Sequence, residues 1–90
     1  MIVIIDNYDS FTFNLFQYAS QFHSNVVVIK NDDPEIFDFK TNIIDAFILS
    51  PGPGTPNDGG FMLDIIQKYY SRIPFLGICL GHQAIIQLLG

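Results

Sequence analysis

The sequence has few basic residues, one cysteine and no long apolar run. Four lysines and arginines stand against nine acidic residues, which gives a formal net charge of −5. The basic residues form no cluster, so nothing in the sequence indicates nucleic acid or an anionic membrane as a partner. No apolar stretch approaches the roughly 18 residues of a membrane-spanning helix. We expect no secretory leader, because "MIVIID" has no basic residue and reaches Asp6 at once.

The single cysteine, Cys79, excludes a disulfide within these 90 residues. A reducing, cytoplasmic setting is therefore the expectation. Hydrophobic residues make up 49% of the chain and charged residues 14%, which is typical of a folded globular domain rather than a disordered segment. The length is enough for one small domain with its own core.

The apolar pattern predicts strands alternating with helices. Continuous apolar runs, typical of strands buried on both faces, are "MIVIID" (1–6), "VVVIK" (26–30), "AFILS" (46–50) and "PFLGI" (74–78). Helical spacing occurs over residues 11–23, 61–70 and 80–89, and a short helical piece is expected in "NDDPEIFDF". Asp9 or Ser10 is expected to cap the first helix. The order β-α-β-β-α-β-α predicts an α/β fold, a parallel sheet with right-handed crossovers and helices on both faces.

Three polar or glycine-rich loops follow predicted strands. They are "DNYDS" (6–10), "SPGPGTP" (50–56) and "GICLG" (77–81). Ligands in parallel sheets bind outside the carboxyl ends of the strands. We therefore expect these three loops to share one edge of the sheet and to form the functional site.

The "GICLG" loop has the G-x-nucleophile-x-G form of a strand-to-helix elbow. A turn this sharp strains the backbone of Cys79 and needs neighbours without side chains, which Gly77 and Gly81 are. It aims the sulfur outward at a helix N-terminus, where free N–H groups and the helix dipole favour an anion. The N–H of Leu80 is then placed to receive a developing oxyanion. A buried structural cysteine is the alternative, and the two glycines favour the functional interpretation.

The proline-glycine loop can supply a second oxyanion donor. Its glycine N–H groups can lie against a small ligand, although such loops are often plain turns. His82 is not predicted as the base for Cys79, because residues so close along one helix give poor geometry for proton transfer. His23 is expected at the end of the first helix and in solvent. For "DNYDS" a structural role and a binding role both stay open.

A metal site is not predicted. The acidic residues of the 32–38 segment are interpreted as a solvated face, because no histidine is near them and no ligand spacing repeats. They are Asp32, Asp33, Glu35 and Asp38.

The segments "DNYDSFTFNL", "LSPGPGTP" and "PFLGICLGHQAI" together resemble the successive motifs of class I (triad-type) glutamine amidotransferases. The resemblance covers the whole chain in order. It is closest to the glutaminase subunits of anthranilate and aminodeoxychorismate synthases, which the N-terminal "DNYDSF" favours. The resemblance implies a flavodoxin-like fold, and no cofactor is predicted.

The resemblance also implies roles for single residues. Cys79 would attack the side-chain amide of glutamine, giving a glutamyl thioester and ammonia. The N–H groups of Gly52 and Leu80 would form the oxyanion hole, and Gly54 and Gln83 would hold the glutamine. Ammonia would pass to a large chorismate-binding synthase subunit, which the N-terminal motif and the surface around the site would face.

One family element is missing from these residues. The family's catalytic His and Glu lie in a later H-x-E element, and residues 1–90 contain no such element. We therefore expect residues 1–90 to be the N-terminal half of the domain, with an incomplete sheet. A cysteine nucleophile without its base lacks a proton acceptor, so little activity is expected from these residues alone.

Two other functions are compatible with parts of the sequence. A non-catalytic flavodoxin-like binding module is suggested by "DSFTFN", which faintly resembles a hydroxyl-rich phosphate loop. Phe11 and Phe13 oppose it, because their side chains would block close approach of the backbone. Another hydrolase with an elbow cysteine is opposed by the "PGPG" segment and by Gln83.

Overall fold

A computed structural model describes residues 1–90, apart from the side chain of Thr41. The strands are β1 (Ile2–Asp6), β2 (Val26–Lys30), β3 (Ala46–Leu49) and β4 (Phe75–Gly77). The α-helices are α1 (Phe11–Ser20), α2 (Met62–Tyr69) and α3 (Leu80–Leu89), and short 3-10 turns span Pro34–Asp38, Thr41–Ile43 and Pro56–Asp58. The predicted order of strands and helices is confirmed. No helix in the described part of the chain is long and apolar enough to cross a bilayer.

The described strands form one parallel sheet with the spatial order β2-β1-β3-β4. In its central row Val28 pairs with Ile4, Ile4 with Ile48, and Ile48 with Leu76. The connection from β2 to β3 crosses to the other side of β1. It therefore places the carboxyl ends of β1 and β3 next to each other, which brings two of the three predicted loops together.

The two faces of the sheet are covered by different helices. Val3 and Phe47, from adjacent strands, belong to the main core together with apolar residues of α2 and α3. Side chains alternate between faces along a strand, so Ile4 points to the opposite face, where α1 packs on β1 and β2. Ile4 and Leu15 of α1 are both buried. The prediction of an α/β sheet with helices on both faces is therefore confirmed.

Helix α1 covers only part of its face of the sheet. Leu76 of β4 lies on this face and is 58% exposed, and Ile48 of β3 is partly exposed. Both residues lie in the same row as Ile4, which α1 covers. The expectation that further residues complete the sheet stays a prediction.

Two details of the first helix differ from prediction. The helix ends at Ser20 rather than at residue 23, because a tight turn returns the chain towards β2, with the N–H of Phe22 donating to the carbonyl of Ala19. His23 is partly exposed, at 31%, but it lies beyond the end of the helix rather than closing it. Its Nε2 lies 3.0 Å from Oδ2 of Asp45, at the amino-terminal edge of the sheet.

The contribution of the core can be tested with one substitution at two sites. Phe47 is fully buried, and its ring lies 4.9 Å from that of Phe75 and 5.4 Å from that of Tyr69. Phe47→Ala should lower the free energy of unfolding by about 3–5 kcal/mol through the cavity it leaves. Phe22 is 87% exposed, and Phe22→Ala should change it by at most about 0.5 kcal/mol. Urea denaturation of the complete encoded protein measures both, and equal losses would contradict the packing described.

Candidate active site

Three loops meet at the carboxyl edge of the sheet, as predicted. The N–H of Asn7, directly after β1, donates to the hydroxyl of Ser50, directly after β3, at 2.8 Å. The N–H of Ile78, directly after β4, donates to the carbonyl of Leu49 at 3.0 Å. Because these strands are parallel neighbours, the loops that follow them open to the same space. This is where ligands bind in open α/β sheets.

Cys79 stands at a sharp turn between β4 and α3. Its backbone has φ 52° and ψ −106°, and a positive φ is uncommon for any residue other than glycine. Helix α3 begins at the next residue, Leu80, and the side chain of Cys79 is exposed. Strained backbone of this kind clusters at functional sites. The predicted elbow with an accessible sulfur is confirmed as a structural feature.

Two glycines make this elbow sterically possible. A Cβ atom on Gly77 would lie 2.5 Å from the backbone carbon of Gly81, and one on Gly81 would lie 2.5 Å from the Cβ of Leu49. Real Cβ atoms do not approach so closely, and the atoms next to Gly77 belong to backbone that cannot turn aside. The first turn of α3 therefore lies directly on the ends of β3 and β4, as the steric argument from the sequence requires.

The proline-glycine ribbon, defined as residues 50–56, packs against this elbow. A Cβ atom on Gly52 would lie 2.5 Å from the Cβ of Asn7 and 2.9 Å from Cδ2 of Leu80. Only a glycine fits between these two side chains. The structure thus brings together Gly52 and Leu80, the two residues from which the oxyanion donors are predicted to come.

The far end of the ribbon is held by Asp58. Its Oδ2 accepts hydrogen bonds from the backbone N–H of Thr55 at 2.8 Å and from the Thr55 hydroxyl at 3.0 Å. These bonds, the backbone one first, hold the pKa of Asp58 below its usual value. Gly54 has φ 75°, and a Cβ atom there would lie 2.5 Å from the same oxygen. Local hydrogen bonds therefore stiffen the ribbon in addition to its prolines.

The predicted glutamine-holding residues lie apart in the described contacts. Gln83 is exposed on the first turn of α3, whereas the close contacts of Gly54 are with Asp58. His82 is likewise exposed on α3.

The loop after β1 is organised by Asp6. Its Oδ1 accepts from the N–H of Tyr8 at 2.9 Å and from the hydroxyl of Thr12 at 2.9 Å. Oδ2 of Asp9 accepts from the N–H of Phe11 at 2.8 Å, so Asp9 is the residue of the two candidates that caps α1. Structural roles thus account for both acids of "DNYDS".

Tyr8 is an exposed member of this loop. It has φ 62°, its hydroxyl donates to Oδ1 of Asp32 at 2.6 Å, and Nζ of Lys30 lies 4.8 Å from its ring centroid. The hydrogen bond to Asp32, then burial and nearby negative charge, raise the pKa of Tyr8. Asp32 is therefore engaged with Tyr8 rather than being only part of a solvated face.

Two depressions lie near the loops. One of about 290 Å³ lies between the loop after β1 and the ribbon, and its walls include Tyr8, Asp32, Pro53, Asp58 and Leu80. Cys79 is not among its lining residues. A larger one of about 520 Å³ lies between α1 and β2, away from the elbow. The sulfur is thus presented on open surface beside the smaller depression rather than inside a closed cavity.

The sequence analysis missed a layer of buried polar residues under the loops. Asn7, Asn31 and Ser50 are 1%, 5% and 0% exposed. The available signal is their position, because each residue directly follows a strand that the sequence predicts. Burial of these residues does not follow from the sequence, since neither composition nor spacing tells a solvated turn residue from one that other strands enclose.

Comparison with known proteins agrees with the motifs. A model of the family described as "Glutamine amidotransferase class-I" matches residues 3–90. "Aminodeoxychorismate synthase component 2" of Escherichia coli strain K12 is 47% identical over all 90 residues, which are 48% of that protein. "Anthranilate synthase component 2" of Lactococcus lactis is 51% identical over the whole chain, 44% of that protein. This chain therefore spans about half the length of these relatives.

A relative of similar length also exists. "Anthranilate synthase component 2" of Acetivibrio thermocellus is 48% identical over 84 residues, which are 93% of this chain and 92% of that protein.

The hydrogen bonds that hold the ribbon predict a pH dependence. The carboxyl of Asp58 should titrate below its usual pKa. Thr55→Ala should raise that pKa only part of the way to the usual value, because the backbone donor remains. Thr55→Ser keeps a hydroxyl donor and should keep the pKa low. A lowered folded pKa stabilises the fold above the unfolded value of about 3.9, and this stabilisation is lost as the pH falls through the folded pKa. Carboxyl-carbon NMR titration checks this, and an ordinary pKa in the unsubstituted protein would contradict it.

Proposed function

Because this chain belongs to the class-I glutamine amidotransferase family, we propose that it hydrolyses glutamine to glutamate and ammonia with Cys79 as the nucleophile. The observation that carries the proposal is the exposed thiol on a strained elbow at the start of α3. A second support is the ribbon, whose Gly52 lies against Leu80 at that elbow.

The reaction follows from this arrangement. The sulfur of Cys79 forms a bond to the side-chain amide carbon of glutamine, and the carbonyl oxygen becomes an oxyanion. The N–H groups of Gly52 and Leu80 stabilise that charge. The C–N bond then breaks and the nitrogen leaves as ammonia after taking up the proton that the thiol has lost to the base. This gives a thioester, which water converts to glutamate and free thiol.

Substrate binding is assigned to two further residues. Gln83 lies exposed one helical turn after Cys79, where a side-chain amide can donate to and accept from glutamine. Gly54 offers backbone groups in a ribbon that its neighbours hold rigid. We assign both to holding the glutamine.

The general base is assigned to residues outside 1–90. His23 is bound to Asp45, which also accepts from the Met1 ammonium at 2.6 Å. Met1 precedes β1, so this cluster lies at the amino-terminal edge of the sheet, across the length of a strand from Cys79. His82 lies on the same helix as the nucleophile and has poor geometry for proton transfer.

Ammonia is proposed to serve a chorismate-aminating partner subunit. The relatives are second components of two synthases, one named for aminodeoxychorismate and the other for anthranilate. Their identities to this chain, 47% and 51%, do not separate the two, so the proposal extends to either product.

A flavodoxin-like binding module is less well supported. A flavodoxin-like module would bind its phosphate group in the 520 Å³ depression at the start of α1. The walls of this depression include Asp6, Asp9 and Phe13. Two carboxyl groups and a phenyl ring disfavour an anionic group at this helix N-terminus.

Removing the nucleophile tests the proposed function. In the complete encoded protein, Cys79→Ser should lower glutamate release from glutamine about a thousandfold or more, because a catalytic unit fails when its nucleophile is lost. Phe22→Ala, in the exposed turn after α1, serves as the control and should keep full activity. Enzymatic determination of glutamate gives the readout. Turnover retained by Cys79→Ser would refute the assignment.

The location of the base has its own test. Residues 1–90 alone should release glutamate far more slowly than the complete encoded protein, because they contain a nucleophile and oxyanion donors without a proton acceptor. Circular dichroism of both samples separates a folded, inactive piece from an unfolded one. Robust turnover by a folded piece would place the base within these 90 residues.

A further inference from the structure

Three buried polar side chains close the carboxyl ends of three neighbouring strands. Asn7 follows β1, Asn31 follows β2 and Ser50 follows β3, and all three are almost fully excluded from solvent. Burying such groups costs free energy unless they are hydrogen-bonded. Their partners therefore show what the layer does.

Asn7 is the centre of this layer. Its backbone N–H donates to the Ser50 hydroxyl at 2.8 Å, and its Nδ2 donates to the Ser50 carbonyl at 2.7 Å. Its Oδ1 accepts from Nδ2 of Asn31 at 3.0 Å, and Nδ2 also lies 3.3 Å from Sδ of Met62. A backbone carbonyl only accepts hydrogen bonds, so the side-chain amide has one orientation that satisfies both neighbours.

Asn7 is connected to the ribbon by its two hydrogen bonds to Ser50 and by its packing against Gly52. The Ser50 hydroxyl that accepts from Asn7 donates in turn to the Pro51 carbonyl at 2.8 Å. Directly beyond, Gly52 lies so close that a Cβ atom on it would be 2.5 Å from the Cβ and 2.6 Å from the carbonyl oxygen of Asn7. The peptide group between Pro51 and Gly52 carries the Gly52 N–H, and both of its ends are therefore set by Asn7 or its partner.

We propose that Asn7, acting with Ser50, is a positioning residue that sets the Gly52 N–H for the oxyanion, an inference that rests on the proposed function. Asn7 does not touch the substrate in this role. The oxyanion exists only after the sulfur has attacked. Displacing the donor should therefore reduce the stabilisation of the transition state more than it reduces the affinity for glutamine. A misplacement of about 1 Å can cost about a hundredfold in rate.

The layer contains a matched control. Asn31 is buried in the same hydrogen-bond layer, but its side chain donates to Asn7 and not to the ribbon. Asn7→Ala and Asn31→Ala each remove one buried amide, so both should lower the unfolding midpoint. Asn7→Ala keeps the backbone N–H, the Cβ and the carbonyl oxygen of residue 7, but it removes the Nδ2 bond to the Ser50 carbonyl. Asn31→Ala keeps that bond, so only Asn7→Ala should disturb the donor.

The test is steady-state glutaminase kinetics of the complete encoded protein. Asn7→Ala is expected to lower kcat about 10- to 100-fold with KM changed less than about threefold, and Asn31→Ala to keep kcat within about threefold of the unsubstituted value. Alkylation of Cys79 by iodoacetamide forms no oxyanion and should keep its rate in both variants. If Asn7→Ala does not fold, Ser50→Ala removes a single oxygen and should lower kcat about tenfold.

The outcomes separate the two proposals. Equal losses of kcat in Asn7→Ala and Asn31→Ala, a change in KM alone, or unchanged kinetics would overturn the positioning role while leaving the proposed function intact. Absence of turnover that depends on Cys79 in the unsubstituted protein would overturn both.

Discussion

The close approach of helix α3 to the ends of β3 and β4 is the constraint on which the site depends. Backbone of Gly81 lies against Leu49 and against Gly77, with no room for a side chain at either glycine. The chain must therefore leave β4 and enter the helix within one sharp turn, and Cys79 takes the strained φ of 52°. The same geometry buries Leu80 and exposes the sulfur. A longer or looser connection would give neither result.

The layer beneath the loops differs from the core in what it contributes. The core is apolar and packed, with Phe47 between the rings of Phe75 and Tyr69, and it stabilises the sheet as a platform. The layer that contains Asn7 and Ser50 is polar, and the net stability gained from such hydrogen bonds is modest, about 1 kcal/mol each. Its contribution is orientation, because every partner is specified by direction as well as distance. The packed core thus holds the sheet rigid, and the directional hydrogen bonds of the polar layer orient the loops at its edge.

The sequence by itself determined the elements, their order and the elbow. Runs of β-branched residues and helical spacing are local signals, and they led to the correct α/β class. The Gly77-Cys79-Gly81 pattern was decisive because it encodes a steric requirement that few other structures impose. The family followed from the same short segments. The role of Cys79 as nucleophile is inferred from the motif and its geometry and stays a proposal.

Only the tertiary structure decided which residues meet. The strand order β2-β1-β3-β4 is a property of long-range pairing, and it alone puts Asn7 beside Ser50 and Gly52. It also carries His23 to Asp45 at the far edge, away from the sulfur, a pairing that the sequence does not reveal. Burial of a short polar side chain depends on neighbours that are distant in the chain. Local pattern therefore reveals the elbow, whereas the layer that supports it is visible only once the strands are paired.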